Sequence, residues 1–116
     1  SIINFSSISY MMGNSGYPAY TTANAGIMGM TRSLAREFGS DNIRVNAIAP
    51  GWVLTKKQLD QWATPEGLKA HLDRQCIKSH LKEEDIAGGV LFLASASSSM
   101  ITGQLLAIDG GVVMTG

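Results

Sequence analysis

With 116 residues, the chain is long enough for one domain with a modest core. Its 45% hydrophobic and 16% charged residues suit a globular protein and exclude a disordered one. A formal net charge of +0 gives no bulk field to attract nucleic acid or an anionic membrane, and no apolar run approaches the ~20 residues that cross a bilayer. Cys76 is the single cysteine, so no intramolecular disulfide can form, which fits a reducing cytoplasm.

Strand and helix patterns alternate along the chain. Residues 1–6 (SIINFS) read as a buried strand, and residues 11–18, rich in Gly and Ser, as a loop. Over residues 19–38 the apolar set Ala23, Ile27, Met30, Leu34 and Phe38 recurs at helical spacing and predicts a core-facing stripe. Ala25, Gly26 and Gly29 leave another face of this helix nearly bare, open to close approach by a neighbouring helix. Gly39 is the expected C-cap. Residues 43–49 (IRVNAIA) form a second strand that stops at Pro50-Gly51. Residues 55–82 are less regular, with one clear helix start: Thr64 as N-cap and Pro65 at the first helical position. Glu83, Glu84 and Asp85 open another helix, where acid suits the helix dipole, and Ile86, Val90 and Leu93 supply its buried stripe. Residues 104–108 form a third strand, closed by the turn Asp109-Gly110-Gly111. This alternation predicts an α/β fold, a parallel sheet with right-handed crossovers.

Chemistry gathers between Ser7 and Asn24. Ser7 closes the first strand, and Tyr20 and Asn24, four apart at a helix start, share one face. A serine at a strand end beside a tyrosine at a helix start can place two hydroxyls on one small polar substrate. Taken alone, each also has a purely structural reading.

Ser7 and Tyr20 stand thirteen positions apart, with Asn24 four further on. This spacing resembles the active-site segment of the short-chain dehydrogenase/reductase family, a serine followed by tyrosine-x-x-x-lysine. Asn24 stands where the family carries its lysine. The stretches Arg44-Val45-Asn46 with Pro50-Gly51-Trp52-Val53-Leu54-Thr55, then Phe92-Leu93-Ala94-Ser95, Thr102-Gly103-Gln104 and Asp109-Gly110-Gly111, resemble later segments of the family, in order. Nearly the whole chain takes part in the resemblance, always to the family's back half. The glycine-rich dinucleotide turn and the family's Asn-Ala-Gly segment are not among these residues. The resemblance therefore implies the C-terminal half of a Rossmann-like doubly wound parallel sheet, three strands with crossover helices. Residues 1–116 are expected to be a partial domain that needs its N-terminal dinucleotide-binding half, because the first strand would otherwise be an unpaired apolar edge.

By the same resemblance, the reaction is hydride transfer between NAD or NADP and a carbinol or carbonyl carbon. Tyr20 would move the hydroxyl proton, Ser7 would hold the substrate oxygen, and Asn24 would take the lysine's place near the ribose. The lysine's charge favours phenolate, and free tyrosine is phenolate in only about one molecule in a thousand at neutral pH. Losing that charge predicts a rate lowered roughly tenfold to a thousandfold. Pro50 and Gly51 would approach the nicotinamide ring, Val53 would bond its carboxamide through the main chain, and Thr55 would add a hydroxyl nearby. Residues 56–82 occupy the family's variable substrate loop. Residues 54–67 (LTKKQLDQWATPEG) and 74–78 (RQCIK) resemble the NAD(P)-dependent aldose 1-dehydrogenases of the family, which oxidise galactose, xylose or arabinose-like sugars to lactones. Tyr17 and Trp62 are the expected substrate contacts. Alternatives are a reductase of 3-oxoacyl thioesters or other carbonyls, and a catalytically dead member acting as a binding or assembly protein. The small-residue face at Ala25, Gly26 and Gly29 reads equally as intrachain packing, but in the family this helix commonly builds a dimer interface, so the resemblance implies a homo-oligomer. No metal site is expected: His71 and His80 read as solvated surface, and Cys76 as a small buried hydrophobe.

Overall fold

The computed structural model describes residues 1–115. Its centre is β2 (Val45–Pro50), whose residues Val45 to Ala49 are all buried. A strand covered on both faces reads as a continuous run rather than an alternation, and VNAIA does so. β1 (Ile2–Phe5) and β3 (Leu105–Ile108) pair with it on either side, both parallel, in the order β1-β2-β3. In register, Ile3 lies opposite Asn46, Asn4 opposite Ala47, and Ile48 opposite Leu106.

The pleat sends alternate residues to opposite layers. On one side, Ile48 packs with Ile86 and Leu93 of α5 (Glu83–Ala94), joined by Ile3, Val90, Leu106 and Ile108. On the other, the Asn4 amide donates to Thr31 Oγ1 of α2 (Pro18–Phe38) at 3.0 Å. Helices thus cover both faces of a parallel sheet, the predicted α/β architecture. Between the main elements lie the short α1 (Ser9–Met12), α3 (Lys56–Gln61) and α4 (Pro65–Arg74).

Sequence features account for the joints. Arg44 reaches the end of α5, donating to the carbonyls of Leu93 at 2.9 Å and Ile101 at 3.1 Å, a cation where a helix terminus leaves carbonyls unpaired. The buried Asn46 donates to Ile101 O and accepts from Gln104 N–H, so it holds the segment leading into β3. Thr64 caps α4 by accepting from Gly67 N–H at 3.0 Å, with Pro65 next in line, as expected. At the start of α5, Asp85 accepts from Lys82 N–H at 2.8 Å, so one of the three acids caps the helix directly.

Several expectations are corrected. The face of α2 that is buried carries Asn24, Met28, Thr31 and Ala35, whereas Ala23 and Met30 of the predicted stripe are exposed. Polarity hid that face: Thr31 donates to Ile27 O and accepts from Asn4, so it is buried with its bonds made. Gly39 is right-handed (φ −58°) and continues into a 3₁₀ turn; the left-handed residue is Asn42 (φ 59°), whose N–H reaches Gly39 O. The supposed loop at 11–18 begins with the helical turn α1 and becomes irregular only past Gly13. Residues 55–82 hold two helices. Cys76 is exposed, its thiol on Gly111 O, because Cys76 and Ile77 lie over the outside of the Asp109-Gly110-Gly111 turn, both bonded to Gly110 O. His71 is half-buried and set edge-on to Trp52.

Candidate active site

Parallel strands bring their carboxyl ends to one side of the sheet, where open α/β sheets bind ligands. β1 runs out into Ser6-Ser7 and β2 into Pro50-Gly51. The two ends are tied by Ser6 N–H to Ile48 O at 2.8 Å and Ile8 N–H to Pro50 O at 3.2 Å. The buried Ser6 hydroxyl then donates to the main-chain carbonyl of Asn24 at 2.8 Å, fastening the start of α2 to the end of β1. Pro18 at the first position suits a helix start, since its missing N–H would be unpaired there anyway.

This seam brings Ser7, Tyr20, Asn24 and Pro50 to the same end of the sheet. Ser7 Oγ accepts from Ser9 N–H at 3.1 Å, which leaves the hydroxyl hydrogen free to be donated elsewhere. Ser9 Oγ is itself buried and unpartnered. Tyr20 keeps 54% of its surface exposed, with the Tyr17 ring edge-on at a centroid distance of 6.0 Å. Asn24 is buried, and its amide donates to Tyr20 O at 2.9 Å along its own helix. That amide orients the Tyr20 backbone but carries no charge.

Gly51 fits only without a side chain: a Cβ there would lie 2.9 Å from Asp109 Cα and from Leu81 Cδ1. The close approach is to the neighbouring strand end, a different reason for glycine from the ring contact expected from the sequence. Val53 forms an isolated parallel bridge with Leu81, and Leu54 N–H donates to Leu81 O at 3.1 Å. Thr55 caps α3, its hydroxyl oxygen accepting from Gln58 N–H at 3.2 Å. Trp62 stands at the end of α3 with 65% of its surface exposed, apart from the hydrogen-bonded seam.

Nearby, Asp109 accepts from Gly111 N–H and Val113 N–H, each at 2.8 Å, and so shapes the turn after β3. Gly110 holds φ 67° there, a left-handed conformation suited to glycine. His71 is held below the usual histidine value, mainly by burial and then by the charges of Arg74 and His80, against the opposing pull of Asp109. Among the described residues no three His, Cys, Asp or Glu side chains are grouped to hold a metal ion.

Two contributors escape a reading of the sequence alone: Ser6 and Trp52. Ser6 looks like one more strand residue, and only the path of α2 past it reveals its bond. Trp52 appears within a longer motif with no hint of its partners. Asp109 was legible as a turn residue, the role it fills.

A nicotinamide group fits this donor set. The hydroxyl hydrogen of Thr55 remains available beside the main chain that follows β2, the chemistry that holds an amide oxygen.

Residues 1–113 match the family model described as Enoyl-(Acyl carrier protein) reductase. The chain is 51% identical over 112 residues to the "Probable galactose dehydrogenase GalD" of Rhizobium meliloti, covering 97% of this chain and 44% of that protein. It is 49% identical over 110 residues to a "D-xylose 1-dehydrogenase" of Caulobacter vibrioides, covering 95% and 44%. With the "3-oxoacyl-[acyl-carrier-protein] reductase FabG" of Thermotoga maritima it shares 40% over 114 residues, covering 98% and 46%. Among solved structures, "4-hydroxyisoleucine dehydrogenase complexed with NADH" superposes with a TM-score of 0.91 at 30% identity, covering 99% of this chain and 47% of that one. A putative 2-deoxy-d-gluconate 3-dehydrogenase from Agrobacterium tumefaciens with bound NADP gives 0.89 at 37%, covering 95% and 45%. The chain thus spans just under half the length of the relatives it matches. Seam, sheet and comparisons agree that the chain belongs to the short-chain dehydrogenase/reductase family.

Proposed function

We propose that this chain is the substrate-binding half of an NAD(P)-dependent oxidoreductase that oxidises an aldose at its carbinol carbon to a lactone. The observation that carries the reading is the Ser6–Asn24 bond, which sets Ser7 and the Tyr20 helix start at one end of the sheet. The aldose class is supported by the galactose and D-xylose dehydrogenases among its relatives. NAD or NADP is supported by the coenzymes named in the matching structures.

In this reading Ser7 donates its hydroxyl hydrogen to the substrate oxygen and fixes it for reaction. Tyr20 accepts the substrate's hydroxyl proton as the phenolate during oxidation, becoming the phenol, and as the phenol returns it during reduction. A bound nicotinamide supplies the acceptor for the hydride that leaves the carbinol carbon. Asn24 holds the Tyr20 backbone and offers no positive charge to favour phenolate, so proton transfer runs slower than with a lysine there. Pro50, Gly51, Val53 and Thr55 form the coenzyme-facing wall, and Tyr17 and Trp62 the sugar-facing one.

The partner of β1 is the other part of the proposal. β1 is an edge strand with Ile2 and Phe5 exposed, and an apolar edge invites another strand. An N-terminal dinucleotide-binding half supplies that strand and the glycine-rich turn for the pyrophosphate. A homo-oligomer is supported by α2, where nothing lies within 4 Å of a Cβ built on Gly26 or Gly29 and Met30 is exposed. The working location is the cytoplasm, where nicotinamide coenzymes are available; no helix among the described residues is long and apolar enough to cross a membrane.

A second reading, a 3-oxoacyl-thioester or other carbonyl reductase, is favoured by the Thermotoga maritima relative. A third, a binding or assembly protein without catalysis, is favoured by the neutral Asn24 amide. The test is coenzyme reduction by the full-length protein with a panel of aldoses, run beside coenzyme oxidation with 3-oxoacyl thioesters. Sugar-dependent reduction of NAD⁺ or NADP⁺ supports the aldose reading. Thioester turnover alone replaces it with the second, and silence in both with the third.

A further inference from the structure

The helices α3 and α4 are unlike the rest of the fold, because neither contributes a buried side chain. Their excursion is closed at its base by two sets of main-chain bonds. At one, Val53 bridges Leu81. At the other, the Cys76 and Ile77 N–H groups both donate to Gly110 O at 2.9 Å. Between these anchors, a segment with so few buried contacts belongs to the low-stability end of the molecule.

One side chain on the body side of the base touches both helices. Trp52 directly follows Gly51, whose N–H is fixed to Ile108 O at 2.9 Å. Its indole N–H donates to Gln58 Oε1 of α3 at 2.9 Å. Its ring stands edge-on to His71 of α4, with centroids 5.5 Å apart at 86°. The far corner of the same ring, Cη2, lies 3.9 Å from the place of a Cβ on Gly67, also in α4.

We propose that Trp52 is a positioning residue that fastens α3 and α4 to the end of β2 as a single cap, so that the two helices open and close together. The cap carries Trp62 at the end of α3, on the sugar-facing wall of the proposed site, so its attachment also sets the geometry on that side. Only the kinetic consequence rests on the oxidoreductase reading. The mechanical one does not.

The test is hydrogen–deuterium exchange on the full-length protein, following residues 56–61, residues 65–74 and the three strands. Trp52→Ala should raise exchange about tenfold in both helices together, from the loss of one hydrogen bond and one aromatic contact, with the strands unchanged. Trp52→Phe keeps a ring beside His71 and Gly67 but loses the bond to Gln58, so it should loosen α3 and α4 together and by less than Trp52→Ala does; one helix loosening without the other would overturn the proposal. Unchanged helices, or strands that loosen as much as the helices in both variants, would overturn the proposal. With whichever sugar the full-length protein oxidises, Trp52→Ala should raise the sugar KM about tenfold while leaving the coenzyme KM in place, and Trp52→Phe should recover part of the loss. If no sugar is oxidised, the function reading fails and the exchange result still decides for or against the cap.

Discussion

The Ser6 hydroxyl and the Asn24 carbonyl meet at 2.8 Å in the interior, one from the end of β1 and the other from the second turn of α2. Ser7 and Tyr20 flank this bond in sequence, so their relative placement depends on it. Ser6→Ala removes the donor while the Asn24 carbonyl keeps its place in the helix. The expected stability loss is about 1 kcal/mol, read from the denaturation midpoint, with a fall in kcat at unchanged coenzyme KM. A variant of unaltered stability and rate would show that the seam does not position the pair.

Gly51 gives a separate prediction. Alanine there would place its Cβ against Asp109 Cα and Cβ, atoms rooted in main chain that cannot swing away. Overpacking of this kind costs about 1–3 kcal/mol, measurable by thermal unfolding. Because the crowding is from Asp109 and Leu81, Gly51→Ala should lose this stability even without coenzyme.

Much of the architecture was legible because it follows from periodicity and punctuation. The continuous apolar runs gave the strands, Pro50-Gly51 and Asp109-Gly110-Gly111 marked their ends, and Thr64-Pro65 marked a helix start that the structure reproduces. The stripe on α2 was misread because hydropathy counts Asn24 and Thr31 as surface residues, yet their side chains donate to the Tyr20 and Ile27 carbonyls of the same helix and so lie inside. Gly39 was misread because glycine permits a left-handed cap without requiring one, and Asn42 takes that conformation instead. In the site, the Ser7–Tyr20–Asn24 spacing was visible at once, being fixed by local sequence. The bonds of Ser6 and Trp52 depend on segments far along the chain or on side-chain direction, which a pattern of residue types does not encode.

His71 supplies a pH dependence. Burial and the positive charges of Arg74 and His80 hold it below the ordinary 6.5, so the unfolded chain takes up a proton more readily than the folded one. Its contribution to stability is therefore complete above pH 6.5 and is lost as pH falls from there through the lower folded value. His71→Phe keeps a ring against Trp52 and removes the titration. Its denaturation midpoint should decline less steeply than wild type below pH 6.5, and parallel curves would contradict the assignment.

The most direct measurement is the initial rate of NADH or NADPH formation from galactose, xylose or arabinose by the full-length protein, as found and as Asn24→Lys. A lysine four residues beyond Tyr20 restores the positive charge that favours phenolate. The predicted result is sugar oxidation by both forms, faster with lysine by roughly tenfold to a thousandfold. No sugar oxidation by either form would contradict the aldose reading, and a slower lysine variant would contradict the assignment of Asn24 to the lysine's place beside Tyr20.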